Sequence, residues 1–174
     1  MTRILAAIDD SPAAPAVLAT AKSLADTLHV QVLAIHAREE GPVPVDVSAA
    51  AGVELETIET APPEGLVEAT RDPDVWMTVV GARGAPGGPR PVGHTALELI
   101  TSAGKPIIVV PPDARTAPRI RRVLVPLDGT RTSAAALEET LEWCRRADIE
   151  VVVLHVHEAE TLPAFSDQAH HETE

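Results

Sequence analysis

The sequence predicts an α/β protein: an open, parallel, five-stranded sheet with helices on both faces, followed by an extra β-α-β half-repeat. Three observations lead there. Apolar residues make up 45% of the 174 residues but aromatics only 2%, so the core must be built from Val, Ile, Leu and Ala. That recipe suits strands buried on both faces beneath Ala-rich helices. Short apolar runs alternate with stretches of helical spacing, as parallel β-α-β units require. Finally, residues 3–39 lie on residues 122–158 at a constant shift of 119 without a gap.

Taken in order, "RILAAID" (3–9) is a short apolar run of the kind buried in a sheet. Ser11 and Pro12 follow as helix cap and first turn, and Val17, Ala21, Leu24 and Leu28 recur at helical spacing. "VQVLAIHA" (30–37) is the second strand. From Glu39 to Gly52 the Pro- and Ala-rich chain is expected to be irregular, with at most one helical turn. "VELETIE" (53–59) alternates like a strand, and "PPEGLVEATRD" (62–72) opens with prolines and forms a short helix. "VWMTVVG" (75–81) is the fourth apolar run. Beyond the loop that follows, a helix is expected over about Thr95–Ala103, with Gly104 as its stop. "KPIIVVPP" (105–112) is the fifth strand.

The repeat pairs Arg3 with Arg122, Leu5 with Leu124, Asp9 with Asp128, His36 with His155 and Glu39 with Glu158. Matched Asp at a strand end and matched His in the next strand favour duplication over the general likeness of any two β-α-β units. The expected organisation is a domain over 1–112, a linker over 113–120, a partial second copy over 121–158 and a flexible acidic tail over 159–174. The second copy has no counterpart to the later strands or to the loop at 81–95. Its open edges and apolar face must then be covered by the first domain, by another chain or by further residues. A fragment of a longer tandem protein is the favoured explanation, and homodimer or higher oligomer formation is expected.

Composition limits the function. A net charge of −12, with "RIRR" at 119–122 the sole basic cluster, disfavours nucleic acid and anionic membranes. Cys144, a single cysteine, rules out an internal disulfide. With no membrane-length apolar run and no signal-peptide pattern after Met1, a cytoplasmic protein is expected.

The chemistry concentrates in "GARGAPGGPRPVGHT" (81–95), which holds five glycines and three prolines. In open parallel sheets, ligands bind beyond the C-terminal strand ends where strand order reverses. If the first strand lies beside the fourth, Asp9 and Gly81 end neighbouring strands there. The loop then leads into a helix N-terminus, whose free N–H groups and dipole favour an anion. Glycine lets the backbone approach phosphate oxygens. Thr95, or His94 when protonated, adds donors, and Arg83 and Arg90 bring positive charge.

"AIDDSP", "VLAIHA" and "GARGAPGGPRPVGHTALELITSAGKPIIVVPP" together resemble the universal stress protein family, over 3–112 as one domain and 122–158 as the start of another. The family's nucleotide-binding members carry Gly, two residues, Gly, nine residues, then Gly followed by Ser or Thr. Gly81 and Gly84 match. Gly93 follows after eight residues, and His94 stands where the hydroxyl residue belongs, with Thr95 next to it. The resemblance implies a sheet in the order 3-2-1-4-5, and ATP, with Mg, bound through Asp9, Ala37, Gly81, Arg83, Gly84, Gly93, His94 and Thr95. It implies a regulatory module with little or no catalysis. The alternative is a stress protein that binds no nucleotide and acts through self-association and protein partners.

Other candidates carry less. Asp10 and Ser11 read as capping residues, and His36 and His155 as structural. "HVH" (155–157) lacks a third metal ligand at telling spacing. Asp128 has no Gly-rich loop of its own, and Cys144 reads as packing. An adenylating enzyme related to the ATP pyrophosphatases would need glycines after the first strand that "AIDDSP" lacks.

Overall fold

The computed structural model describes residues 2–37, 52–83, 92–135 and 137–155. The expected irregular segment at 39–51, the loop from Gly84 to Pro91 and the acidic tail lie outside them. By contacts the chain divides into two units, Met1–Ile120 and Arg121–Glu174.

The first unit runs β1 (Arg3–Ala7), α1 (Ala14–Leu28), β2 (Gln31–Ala37), β3 (Glu54–Ile58), α2 (Pro62–Arg71), β4 (Val75–Gly81), α3 (His94–Ser102) and β5 (Ile107–Val110). All four strand pairs are parallel, and the sheet order is β3-β2-β1-β4-β5. β1 therefore sits at the centre, buried on both faces: Ile4, Leu5 and Ala6 are fully inaccessible. Side chains alternate across a strand. Leu5, Ala7, Leu33, Ile35 and Ala37 share a cluster with Leu66 and Val67 of α2 and Ala96 and Leu99 of α3. Helix α1 packs along β1, β2 and β4 without joining that cluster, which puts it over Ile4 and Ala6 on the opposite face. The expected doubly covered sheet is the one observed.

Local chemistry sets the element ends. Helix α1 starts at Ala14 with Ala13 as its cap, two residues later than the Ser11–Pro12 signal implied. Ser11 is instead drawn into a turn: its N–H donates to Asp9 Oδ1 at 3.0 Å and its Oγ accepts from Ala13 N at 3.3 Å. Asp followed two residues on by a free N–H forms such turns readily, and here the turn outcompetes the cap. Helix α3 stops at Ala103, with Gly104 beyond it at φ +63°, a conformation that a Cβ disfavours.

Two polar clasps tie α2 and its following turn to the sheet. Thr70 Oγ1 donates to Leu66 O at 2.8 Å and lies 3.1 Å from Thr78 Oγ1, both side chains being buried. Lys105 Nζ donates to the carbonyls of Asp72 and Val75 at 2.5 and 2.6 Å. The Asp74 N–H donating to Asp72, with Arg3 beside it, holds the Asp72 carboxyl below the usual range.

The second unit contains β6 (Arg122–Leu127), α4 (Arg131–Ala135), α5 (Glu138–Arg146) and β7 (Glu150–His155). β6 and β7 pair in parallel from Arg122↔Glu150 to Leu127↔His155. Val125 and Cys144 are buried, and burial pushes the Cys144 thiol up. Leu124, Leu141, Val152, Val153 and Leu154 are exposed.

Candidate functional site

The C-terminal ends of β1, β2 and β4 converge because they are neighbours in the sheet. After β1, the Ile8 N–H donates to Ile35 O at 2.9 Å, so the ladder carries one residue further and delivers Asp9 to the sheet's upper edge. The Asp9 turn then sends the chain into α1. β2 ends at Ala37 beside it.

β4 ends at Gly81, where a Cβ would lie 3.3 Å from Arg83 O and within 3.7 Å of Ala13 and Val17 side-chain atoms. Small size, not a left-handed backbone, is what this position needs. The connection to α3 is pinched at its base. Ala82 N–H donates to Val110 O at 2.8 Å, and Gly93 N–H donates to Ala82 O at 2.7 Å.

Helix α3 then begins at His94 with Gly93 as N-cap. No side chain caps it, and no acidic residue stands in its first turn. The first bond closing onto its N-cap is Leu97 N–H to Gly93 O at 3.0 Å. Among the described residues the N–H groups of His94, Thr95 and Ala96 are therefore the donors that every helix start leaves without an intrahelical partner, at the positive end of its dipole.

These pieces enclose a crevice of about 340 Å³, within the range typical of small-molecule sites. Asp9, Ala37, Gly81, Arg83, Gly93, His94 and Thr95 all line it. Gly84 lies outside the described residues. Asp9 and Arg83 are the fixed charges of opposite sign among the described lining residues. The remaining walls are apolar, with Ala7, Ile8, Val80 and Ala96 joined by Pro62 and Leu66 from the start of α2. Those two were not singled out in the sequence. Their only signal was the proline pair opening the helix, which does not reveal where the helix lands.

A wider groove of about 1120 Å³ runs along α2 and also reaches His94. Within it Arg3 meets Asp72 at 3.0 Å and Arg71 meets Glu68 at 3.2 Å. Size favours the groove, but convergent donors and small residues favour the crevice as the site.

Asp128, the counterpart of Asp9, is differently occupied. Its Oδ1 accepts from Ser133 Oγ at 2.6 Å, Thr130 Oγ1 at 2.8 Å and Thr130 N at 2.9 Å. These bonds, the one from Ser133 foremost, hold its carboxyl at about 2. His36 is buried with Nδ1 unpartnered among the described residues, whereas His155 is exposed. Among the described residues no group of three or more His, Cys, Asp or Glu could hold a metal ion, and no helix is long and apolar enough to cross a membrane.

The model of the universal stress protein family matches residues 119–174. No curated protein matches the chain. Among solved structures, a universal stress protein from Archaeoglobus fulgidus is 27% identical with a TM-score of 0.50, over 63% of this chain and 98% of its own. The universal stress protein UspA from Lactobacillus plantarum is 20% identical with a TM-score of 0.52, over 62% and 96%. A universal stress protein solved in complex with cAMP is 19% identical with a TM-score of 0.53, over 64% and 98%. Residues 119–174 match the model of the universal stress protein family, and the first unit has the same sheet order as the fold of these solved universal stress proteins, so the chain is similar to that family.

Proposed function

We propose that the crevice above β1 and β4 holds an adenine nucleotide, ATP or a relative of it, and that the protein acts as a regulatory module with little or no catalysis. One observation carries this reading: seven of the residues expected to contact nucleotide line a single crevice at an uncapped helix N-terminus. The phosphates would meet the N–H groups of α3 and the Arg83 guanidinium. Asp9 would face the ribose, the apolar walls would take the base, and Mg would travel with the phosphates, with Asp9 the nearest carboxylate. The related protein solved with cAMP has the same fold.

Isothermal titration with Mg-ATP, AMP and cAMP tests the reading. Saturable binding of at least one of them is expected, together with a change in fluorescence of Trp76 on β4. Gly81→Val, whose side chain would press on Arg83 O and Ala13, should weaken it at least tenfold. A folded protein that ignores all three would overturn the assignment.

A second reading rests on a different observation. Leu124, Val153 and Leu154 are exposed apolar residues on a two-stranded sheet, and such surfaces favour association. Self-association through the second unit, with or without nucleotide, is then the protein's working state. Sedimentation equilibrium checks it: a concentration-dependent dimer, weakened by Leu124→Lys, is expected.

A further inference from the structure

We propose that His94 makes phosphate binding in the crevice proton-dependent, so that the site takes nucleotide more tightly at mildly acid pH than at mildly alkaline pH. The inference rests on the nucleotide reading and goes beyond it, since nothing in the crevice requires a titrating group.

His94 is the first residue of α3, directly after the Gly93 cap, and lines the crevice beside the three N–H groups without an intrahelical partner. Its side chain is exposed and makes no hydrogen bond or ion pair among the described residues. An anion drawn to this helix start therefore meets the imidazole as well.

Charge supplies the second step. Facing His94 across the crevice are Asp9 from the β1 turn and Arg83 from the β4 connection. On the groove side stand Glu98 from its own helix, Glu64, Glu68, Arg71 and Asp72 from α2 and its end, Glu56 from β3 and Arg3 from β1. Carboxylates and guanidinium groups keep their charge between pH 6 and 8. Imidazole is the side chain that ordinarily changes charge there. Protonation thus adds one positive charge beside the phosphate position, while Asp9 and Arg83, the fixed charges among the described lining residues, are of opposite sign.

Chemistry gives the sign. An imidazolium donates from both nitrogens and attracts phosphate, whereas neutral imidazole offers one donor and no charge. Nucleotide affinity is therefore expected to fall between pH 6 and pH 8. One charge-assisted contact at a solvent-exposed helix start corresponds to roughly a 3- to 10-fold change in affinity.

The test is calorimetric titration of the whole chain with AMP at pH 6.0 and pH 8.0, for the natural sequence, His94→Gln and His94→Lys. AMP itself ionises near pH 6, and comparison with His94→Gln removes that contribution. Expected is a 3- to 10-fold tightening at pH 6.0 beyond any seen in His94→Gln, with His94→Lys binding tightly at both pH values. Equal pH dependence in the natural protein and His94→Gln would overturn the inference and leave the nucleotide reading standing. No AMP binding by the natural protein at either pH would overturn it together with the assignment of AMP to the crevice. Circular dichroism of both variants confirms that each is folded.

Discussion

The β1-α1-β2 segment and the β6-to-β7 segment share strand register and an Asp turn but have opposite fates. Arg3 pairs with Gln31 and Arg122 with Glu150, a separation of 28 residues in each case, and the register runs on in step. Asp9 accepts from Ser11 N at 3.0 Å; Asp128 accepts from Thr130 N at 2.9 Å. Yet Leu5 is 0% exposed and Leu124 58%, and Ala34 is 0% exposed where Val153 is 57%. What separates them is β4, β3, α2 and α3, which complete the sheet and cover one face in the first unit. Pairing and turns are properties of the segment; burial is a property of its surroundings.

The largest effect should fall on the matched leucines. Leu5→Ala should cost about 3–4 kcal/mol, the usual penalty for truncating a fully buried leucine. In dilute, monomeric protein Leu124→Ala should stay within about 0.5 kcal/mol, as for exposed positions. Urea denaturation of both variants measures this. A large loss at Leu124 would mean that the surface is covered in solution, and the contrast between the segments would collapse.

Next in size comes ligand binding. Nucleotide affinity should drop at least tenfold in Gly81→Val and be unchanged in Asp128→Asn, because Asp128 already accepts from Thr130 and Ser133. Equal losses in the two variants, by calorimetry, would make the second unit part of the site.

The smallest effect concerns acid. The folded carboxyl of Asp128 sits at about 2, below its ordinary 3.8. Its contribution to stability is therefore full above pH 3.8 and fades as pH falls toward 2. Carboxyl chemical shifts followed through an acid titration should give a midpoint near 2 for Asp128. Ser133→Ala should move that midpoint upward, since the Ser133 hydroxyl is the leading cause of the shift. An unmoved midpoint would place the cause elsewhere in the turn.

Much of this architecture was legible because it is local. Apolar runs such as "RILAAID" and "VWMTVVG" have the length and composition of buried strands, and Gly104 marks a helix end by backbone freedom alone. The central position of β1 followed from the family resemblance, not from periodicity. The start of α1 was misplaced because Asp9 and the Ser11 hydroxyl both serve the turn before the helix, and the composition of "DDSP" cannot rank those partners. Asp9, Gly81 and Gly93 could be brought together in advance because strand ends are ordered by topology. Pro62 and Leu66 could not, since helix placement over a sheet depends on packing against β2, β4 and α3. The run that in Leu33–Ile35 signals burial recurs at Val152–Leu154, whose exposure follows from the missing later strands of the second copy rather than from the run itself.

The central claim is that nucleotide binds the first unit's crevice and not the matching turn of the second. Backbone amide chemical-shift mapping during AMP titration tests it most directly. The account predicts shifts at Asp9, Gly81, Arg83 and Gly93–Ala96, with Asp128–Ser133 unmoved. Shifts confined to Asp128–Ser133, or none anywhere at saturating AMP, would contradict it.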